Sequence, residues 1–237
     1  MPAFNYGRYI GKALDSILAQ TYRPIEIIVV EAGSTDNTRE VLAGYGSHIR
    51  VYDAPAASPA KARNTGIGYA RGELVAFLDA DDLWRPEKLT RQMARFEARP
   101  ELGYCLSLVQ TIWADELRDE AEWFRGHPRA GPVVGYSNIT LLARRALFET
   151  VGLLDSTQLT TDSVDWFLRA ADQGVSMEVV PEVLTYHRLH GANLGQRDAA
   201  ARRREWLRFV KRKLDEGRAA GRGQITANGQ QTATEAR

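Results

Sequence analysis

Apolar residues at positions 10, 13, 14, 17 and 18 recur at the spacing of one helix face, so Ile10 to Gln20 reads as an amphipathic helix ending before Pro24. The period then changes. Ile25 to Val30, IEIIVV, is an almost continuous apolar run rich in β-branched residues, which predicts a buried strand. Ser34, Thr35, Asp36 and Asn37 follow as N-cap candidates for a helix to about Ala43. Ile49 to Tyr52 predicts a short strand, and Ser58 to Ala70, with Pro59 in its first turn, a helix. Leu74 to Leu78 is a second buried-strand run, and Pro86 opens a helix to about Arg99. This alternation predicts an α/β fold: a doubly wound, mostly parallel sheet with helices on both faces. Met1 to Tyr9 reads as a loop. The first helix then lacks a preceding strand, so either the sheet is one strand short or the natural protein starts upstream. The missing piece would be about 5–10 residues, a normal strand length.

The second half is less regular. Tyr104 to Ile112 predicts a strand, and Ala114 to Gly131 a loop with one or two helical turns. Ser137 to Leu142 fits a strand or a helix start. Ala143 to Val151 predicts a helix closed by Gly152, and Asp162 to Gly174 one with Val164, Phe167, Leu168 and Ala171 on a single face. Ser176 to Val180 and Val183 to His190 read as strands on either side of Pro181. Asp198 to Leu214 predicts a last helix with Trp206, Leu207, Val210 and Leu214 packed inward. Residues 217–237, rich in Gly, Gln, Thr and Ala, read as disordered.

Composition narrows the function classes. The 237 residues, 44% hydrophobic, supply core for one large domain or two small ones. A net charge of +1 argues against a dedicated nucleic-acid binder. The lone cysteine, Cys105, excludes an internal disulfide and a Cys-rich zinc site, and its apolar run YCLSLV suits a buried thiol. No stretch approaches the roughly 20 apolar residues of a membrane span. MPAFNYGRYI shows no signal-peptide pattern, so a cytoplasmic protein is expected. Between 197 and 218, nine Lys or Arg face four acids, a net +5. That is a solvated helix face, or a peripheral contact with an anionic membrane.

The chemistry gathers where the run Leu74 to Leu78 stops at Asp79-Ala80-Asp81-Asp82. Three carboxylates at a strand end repel one another and are costly to desolvate. A magnesium or manganese ion relieves that cost, and strand carboxyl ends are where open α/β sheets bind ligands. The alternative is a solvated acidic turn before a helix cap. No GxGxxG follows a strand, which argues against a dehydrogenase. No Gly-rich phosphate loop follows the first strand, as a nucleotidyltransferase of similar fold would need.

Several stretches together resemble family 2 glycosyltransferases of the GT-A fold: PAFNYGRYIGKALDSILAQTY, IEIIVVEAGSTDNT, ARNTGIGYARGELVAFLDADDLWRPEKL, VGLLD, VDWFLRAADQG and YHRLHGAN. The resemblance spans roughly residues 2 to 195. It implies a nucleotide-diphosphate sugar donor, inversion at the anomeric centre, a divalent metal (Mn or Mg) and an unknown glycan, lipid or protein acceptor. It implies a nucleotide-sugar-binding half over 1–100 and an acceptor half over 101–195; the helix read from the pattern follows over 196–216. Donor-binding positions carried over are Pro2, Phe4, Asn5, Glu31, Ala32, Arg63, Asp79, Ala80, Asp81 and Arg188. Asp81 and His190 fall at the metal. Asn64 reads as structural and His187 as a surface residue. Trp113, Trp123, Phe124 and Tyr136 would stack on an acceptor sugar or cover the core.

Two positions depart from the family. Its paired aspartates after the second strand are here Glu31 and Ala32, and Ala32 offers no side-chain acceptor to a base, which puts uridine specificity in question. Its general base, in a Glu-Asp pair ahead of the helix arginine, falls on Ser163, with Asp162 at the Glu position. A serine hydroxyl is no base near neutral pH. The catalytic candidates are therefore Asp162, Ser163 and Asp165. Both aspartates also fit a purely helix-capping role, Asp162 as N-cap. An active transferase with a displaced base and a nucleotide-sugar-binding protein without turnover both remain open.

Overall fold

The computed structural model describes residues 1–124, 127, 131–191, 193, 200, 202–216 and 218. Met1–Asn193 and Leu194–Arg237 form separate units. In the first unit, β1 (Pro2–Ala3), β2 (Ile28–Glu31) and β3 (Arg50–Asp53) make a parallel sheet, with Pro2 opposite Val30 and Ile28 opposite Arg50. A second sheet has the order β4 (Leu74–Ala76), β8 (Leu142–Arg144), β6 (Tyr104–Trp113), β9 (Met177–Leu189) and β5 (Leu83–Trp84), with β7 (Val133–Val134) beside β6. There only β6 and β9 run parallel; the other pairs are antiparallel. The helices are α1 (Ile10–Leu18), α2 (Thr38–Ala43), α3 (Pro59–Tyr69), α4 (Lys88–Ala98), α5 (Arg118–Trp123), α6 (Leu147–Thr150) and α7 (Asp162–Asp172).

The differences from expectation have local causes. Pro2 and Ala3 are strand rather than loop because they pair with Val30 and Glu31. Ala143 and Arg144 belong to β8 rather than to a helix. Pairing with β4 on one side and, at Ala143, with β6 on the other overrides their helix propensity, and α6 is left with one turn. β9 passes through Pro181 without a break because its register against β6 shifts between Ser107 and Val109, an irregularity that tolerates a residue without an N–H. The tail beyond 218 lies outside the described residues. Residues 202–216 are helical, with Phe209 buried, whereas Trp206, Leu207, Val210 and Leu214, expected inside, are exposed. No described helix is long and apolar enough to cross a membrane.

Two apolar cores hold the acidic turn from both sides. Successive residues of an extended chain point to opposite faces. Leu78 packs into a core with Ile10, Leu14 and Val29, while Phe77 enters another with Tyr104, Leu106, Phe148 and Trp166. Burying each contributes about 1.5–3 kcal/mol, so Asp79 to Asp82 leave the sheet from a doubly anchored point. An apolar cavity of about 380 Å³ lies between Ile25–Ile28 and Leu74–Leu78, away from these carboxylates apart from Arg63 in its wall.

Candidate active site

The three aspartates of the turn have separate partners. Asp79, a third exposed, accepts from Arg63 Nη2 at 2.5 Å. Asp81 Oδ2 lies 3.0 Å from His190 Nε2 and accepts from Asn193 Nδ2 at 3.1 Å. Asp82 accepts the Arg188 backbone N–H at 2.8 Å and faces His187 Nδ1 at 3.1 Å. Ala80 is buried between them. Burial pushes the Asp82 carboxyl up to about 6. Burial also opposes the charged form of His187, but the Asp82 hydrogen bond outweighs it and raises the imidazole to about 9. The two pKa values place an ionised pair at neutral pH. His187 is thus a partner of Asp82 and not the plain surface residue its loop suggested. Antiparallel pairing of Leu83 with Tyr186 sets Asp82 beside it.

His190 is closed in. Its side chain is 1% exposed, its ring stacks on Tyr9 at 4.5 Å, and its backbone N–H donates to Asn193 Oδ1. The Arg188 guanidinium lies 5.2 Å from the centroid of the same Tyr9 ring. Tyr9 Oη donates to Glu116, which Arg8 grips with two bonds of 3.1 and 2.8 Å. Tyr9 and Asn193 had no signal as site residues in the sequence beyond their places in PAFNYGRYIGKALDSILAQTY and YHRLHGAN, and Glu116 had none.

Helix α7 begins at Asp162, and Thr161 rather than Asp162 occupies the cap position. Asp162 Oδ2 receives Asn138 Nδ2 at 3.1 Å and Arg63 Nη1 at 3.3 Å. Burial raises the Asp162 carboxyl above its usual range, although Arg63 works against that rise. Asp165 is buried and bonds Arg169 at 2.9 Å, one turn along the same helix. Ser163 is half-buried. Of the three catalytic candidates, the structure brings Asp162 alone onto Arg63, the residue that also holds the acidic turn. Asn64 bonds the Leu154 backbone through both amide atoms, the structural part expected of it.

The remaining donor-side candidates line the ends of β1 and β2. Asn5, at φ +58°, accepts from Thr35 N–H at 2.8 Å and donates its own N–H to Ser34 Oγ, tying the two loops together. Phe4 is 48% exposed, and Pro2 sits in β1. Glu31 is fully buried. Burial pushes its pKa up, but hydrogen bonds from the Ser34 and Gly33 N–H groups and the ion pair with Arg39 hold it below the usual range. Ala32 gives its N–H to Ala3 O at 2.8 Å, and its carbonyl accepts from Ala56 at 3.1 Å.

No group of three or more His, Cys, Asp or Glu side chains among the described residues could hold a metal ion. Asp81 Oδ2 and His190 Nε2 do fit as a two-ligand set. Ligands about 2.1 Å from an octahedral ion stand at roughly √2 times that distance on adjacent corners, close to the 3.0 Å observed. Such ions commonly take one or two protein ligands and complete their shell with substrate phosphates and water.

A family model for glycosyl transferase family 2 matches residues 1–152. An uncharacterized glycosyltransferase of Nostoc sp. is 31% identical over 204 residues, which is 80% of this chain and 63% of that protein. S. aureus TarS 1–349, in complex with UDP, superposes with a TM-score of 0.62 at 20% identity, covering 79% of this chain and 59% of that one. The mannosyltransferase PcManGT from Pyrobaculum calidifontis, in complex with GDP-Man and Mn2+, superposes with a TM-score of 0.61 at 22% identity, covering 81% and 56%. The chain spans less than two thirds of the length of each of these proteins. At these identities the structural likenesses establish the fold, which is GT-A. With more than half of its length matched by the family model, the chain belongs to glycosyltransferase family 2.

Proposed function

We propose that this chain transfers a sugar from a nucleotide-diphosphate sugar to an acceptor hydroxyl with inversion, with Asp162 as general base. One observation carries the reading: the Arg63 guanidinium bonds Asp79 and Asp162 together, so a carboxylate of the acidic turn and one from the acceptor-side helix meet at one buried cation. Asp81 and His190 would hold a divalent cation, whose contribution when bound is to offset charge on the departing diphosphate. The UDP of the TarS structure and the GDP-Man and Mn2+ of PcManGT support this donor class and ion. Arg188, pinned by Asp82 at its backbone and by Tyr9 at its guanidinium, would face the diphosphate. Pro2, Phe4, Asn5 and Ala80 would shape the donor pocket.

Asp162 takes the proton of the acceptor hydroxyl. The freed oxygen bonds to the anomeric carbon on the face opposite the diphosphate, which leaves with the electron pair of the broken bond. A carboxyl whose pKa burial has raised is a stronger base for this step than an exposed one. Asp165, engaged by Arg169, orients α7 instead.

Ala32 and Ser163 favour a second reading, a donor-binding protein without turnover. Nucleotide release from UDP-GlcNAc and GDP-Man with manganese separates the two. Under the first reading, wild type turns over and Asp162→Asn abolishes release. Under the second, wild type binds donor without release, and Ser163→Asp, restoring a base worth about 10²–10⁴-fold, creates activity. Turnover unaffected by Asp162→Asn would remove Asp162 from the mechanism.

A further inference from the structure

Lys88 is a buried amine that the proposed reaction does not use, and burial lowers its pKa to about 7. Its side chain is 0% exposed, although it stands in the first turn of α4. Its ammonium donates to Gln92 Oε1 at 2.5 Å and the Thr140 carbonyl at 3.4 Å, and lies 4.6 Å from the centroid of the Trp84 ring. These partners are neutral, so the site does not offset the charge as an ion pair would. What they share is the short turn Asn138–Thr140. Gln92 Nε2 donates to the Thr140 carbonyl at 2.8 Å. Trp84 Nε1 donates to the Ile139 carbonyl at 3.1 Å, and Thr185 Oγ1 donates to the same oxygen at 3.3 Å. The first residue of that turn is Asn138, whose amide N–H reaches Asp162.

We propose that Asn138 is a positioning residue for Asp162, and that the buried Lys88–Gln92–Trp84 cluster locks the turn that carries it. The inference rests on the reading of Asp162 as the base. Arg63 cannot fix Asp162 alone, because it shares its guanidinium with Asp79 and reaches Asp79 at the shorter distance. Asn138 bonds Asp162 from the other side at 3.1 Å and is 4% exposed. Among the described residues its buried Oδ1 has no hydrogen-bond partner, so the bond to Asp162 sets the amide orientation. The flipped amide would turn that oxygen onto the carboxylate and repel it. A hydrogen bond to one carboxylate oxygen, from a turn clamped at both following carbonyls, holds a base in place while the acceptor exchanges. Displacing such a group by about 1 Å costs on the order of 10²-fold in rate.

The test uses the full chain and two readouts. The first is nucleotide release from UDP-GlcNAc and GDP-Man with manganese. Asn138→Ala lowers the rate about tenfold or more with the donor KM unchanged. Lys88→Met, which removes the charge at similar volume, lowers it in the same direction while the thermal midpoint holds. A residue that merely stabilised the fold would lower rate and midpoint together. The second readout is the titration of the Asp162 carboxyl carbon by NMR without donor. The charged groups facing Asp162 are Arg63 from α3 and Asp79 from the acidic turn, and both stay in place. Asn138→Ala raises the midpoint, because a bond that favours the charged form is lost. An unchanged midpoint together with an unchanged rate overturns the proposal. If Asp162→Asn turns over like wild type, the base reading falls by itself, and the titration alone decides whether Asn138 holds Asp162.

Discussion

Replacing Arg63 by methionine removes the guanidinium that joins Asp79 and Asp162 while keeping most of its apolar stem. The side chains of Arg63 and Asp162 are each 7% exposed, so their bond is a buried one. Asp79 is 35% exposed, and solvent screens its share. Breaking a buried pair costs about 3–5 kcal/mol, most of it the penalty of the charge left behind. Asn138 still donates to Asp162 in the variant, which argues for the lower end, about 3 kcal/mol. For a unit of this size each kcal/mol moves the melting midpoint by roughly 2–4 °C, so the variant should melt about 6–12 °C lower at neutral pH. The loss must also depend on pH. Burial raises the Asp162 pKa above its ordinary 3.8, and losing Arg63 raises it further. Between the unfolded and folded values the native state binds a proton that the unfolded chain does not, so stability falls as pH rises through that window. The window is wider in the variant, and its deficit therefore shrinks as pH falls toward 3.8. Thermal melts followed by circular dichroism at about pH 4 and about pH 8 measure this. A deficit of equal size at both would refute the argument that Arg63 works through the charge of Asp162.

Asp81→Ala and His190→Ala should each weaken manganese-dependent binding of UDP-GlcNAc or GDP-Man by about tenfold or more, and calorimetry that finds either at wild-type affinity removes that ligand. His187, raised from 6.5 to about 9, contributes stability that is full below 6.5 and lost as pH rises through 9, so His187→Gln should flatten the wild-type decline in urea midpoint across that window. Ala32 offers no side-chain acceptor, and if the exposed Phe4 ring meets the base by stacking, the contact is tolerant of base identity. UDP and GDP should then bind within about tenfold of each other, and a preference near a hundredfold by calorimetry would place a base-reading hydrogen bond elsewhere.

Much of the scaffold was legible because its signals are long and periodic. The apolar stripe of α1, the run of β2 and the stop of the run Leu74 to Leu78 at three aspartates each occupy enough chain to show a period. The parts that escaped are short or depend on distant pairing. β5 is two residues long and carries no pattern, yet its pairing with β9 is what brings Asp82 to His187. Ala143 and Arg144 have a helical composition and are strand only because β4 claims both and β6 claims Ala143 from the other side.

The site shows the same division in its chemistry. Charged candidates were visible: Asp79 and Asp81 from their run at a strand end, Arg63 and His190 through the resemblance. Residues that act by holding another group were not. Tyr9 falls at the end of a stretch that reads as a loop, and only the folded chain sets its ring between His190 and Arg188 with its hydroxyl on Glu116. Nothing in the sequence marks Lys88, near the start of the helix that Pro86 opens, and only the fold buries it against Trp84 and Thr140. Glu31 is the converse case. As a charged residue in a donor-binding position it looks like a ligand contact, but the structure spends it on the Gly33 and Ser34 amides and on Arg39. A carboxylate that already accepts two backbone N–H groups and an arginine has little acceptor capacity left for a nucleotide. The longer side chain at this position therefore shapes the loop that Asn5 grips. The departure at Glu31 thus turns a carboxylate inward to build the turn, whereas the one at Ala32 removes a side-chain acceptor outright.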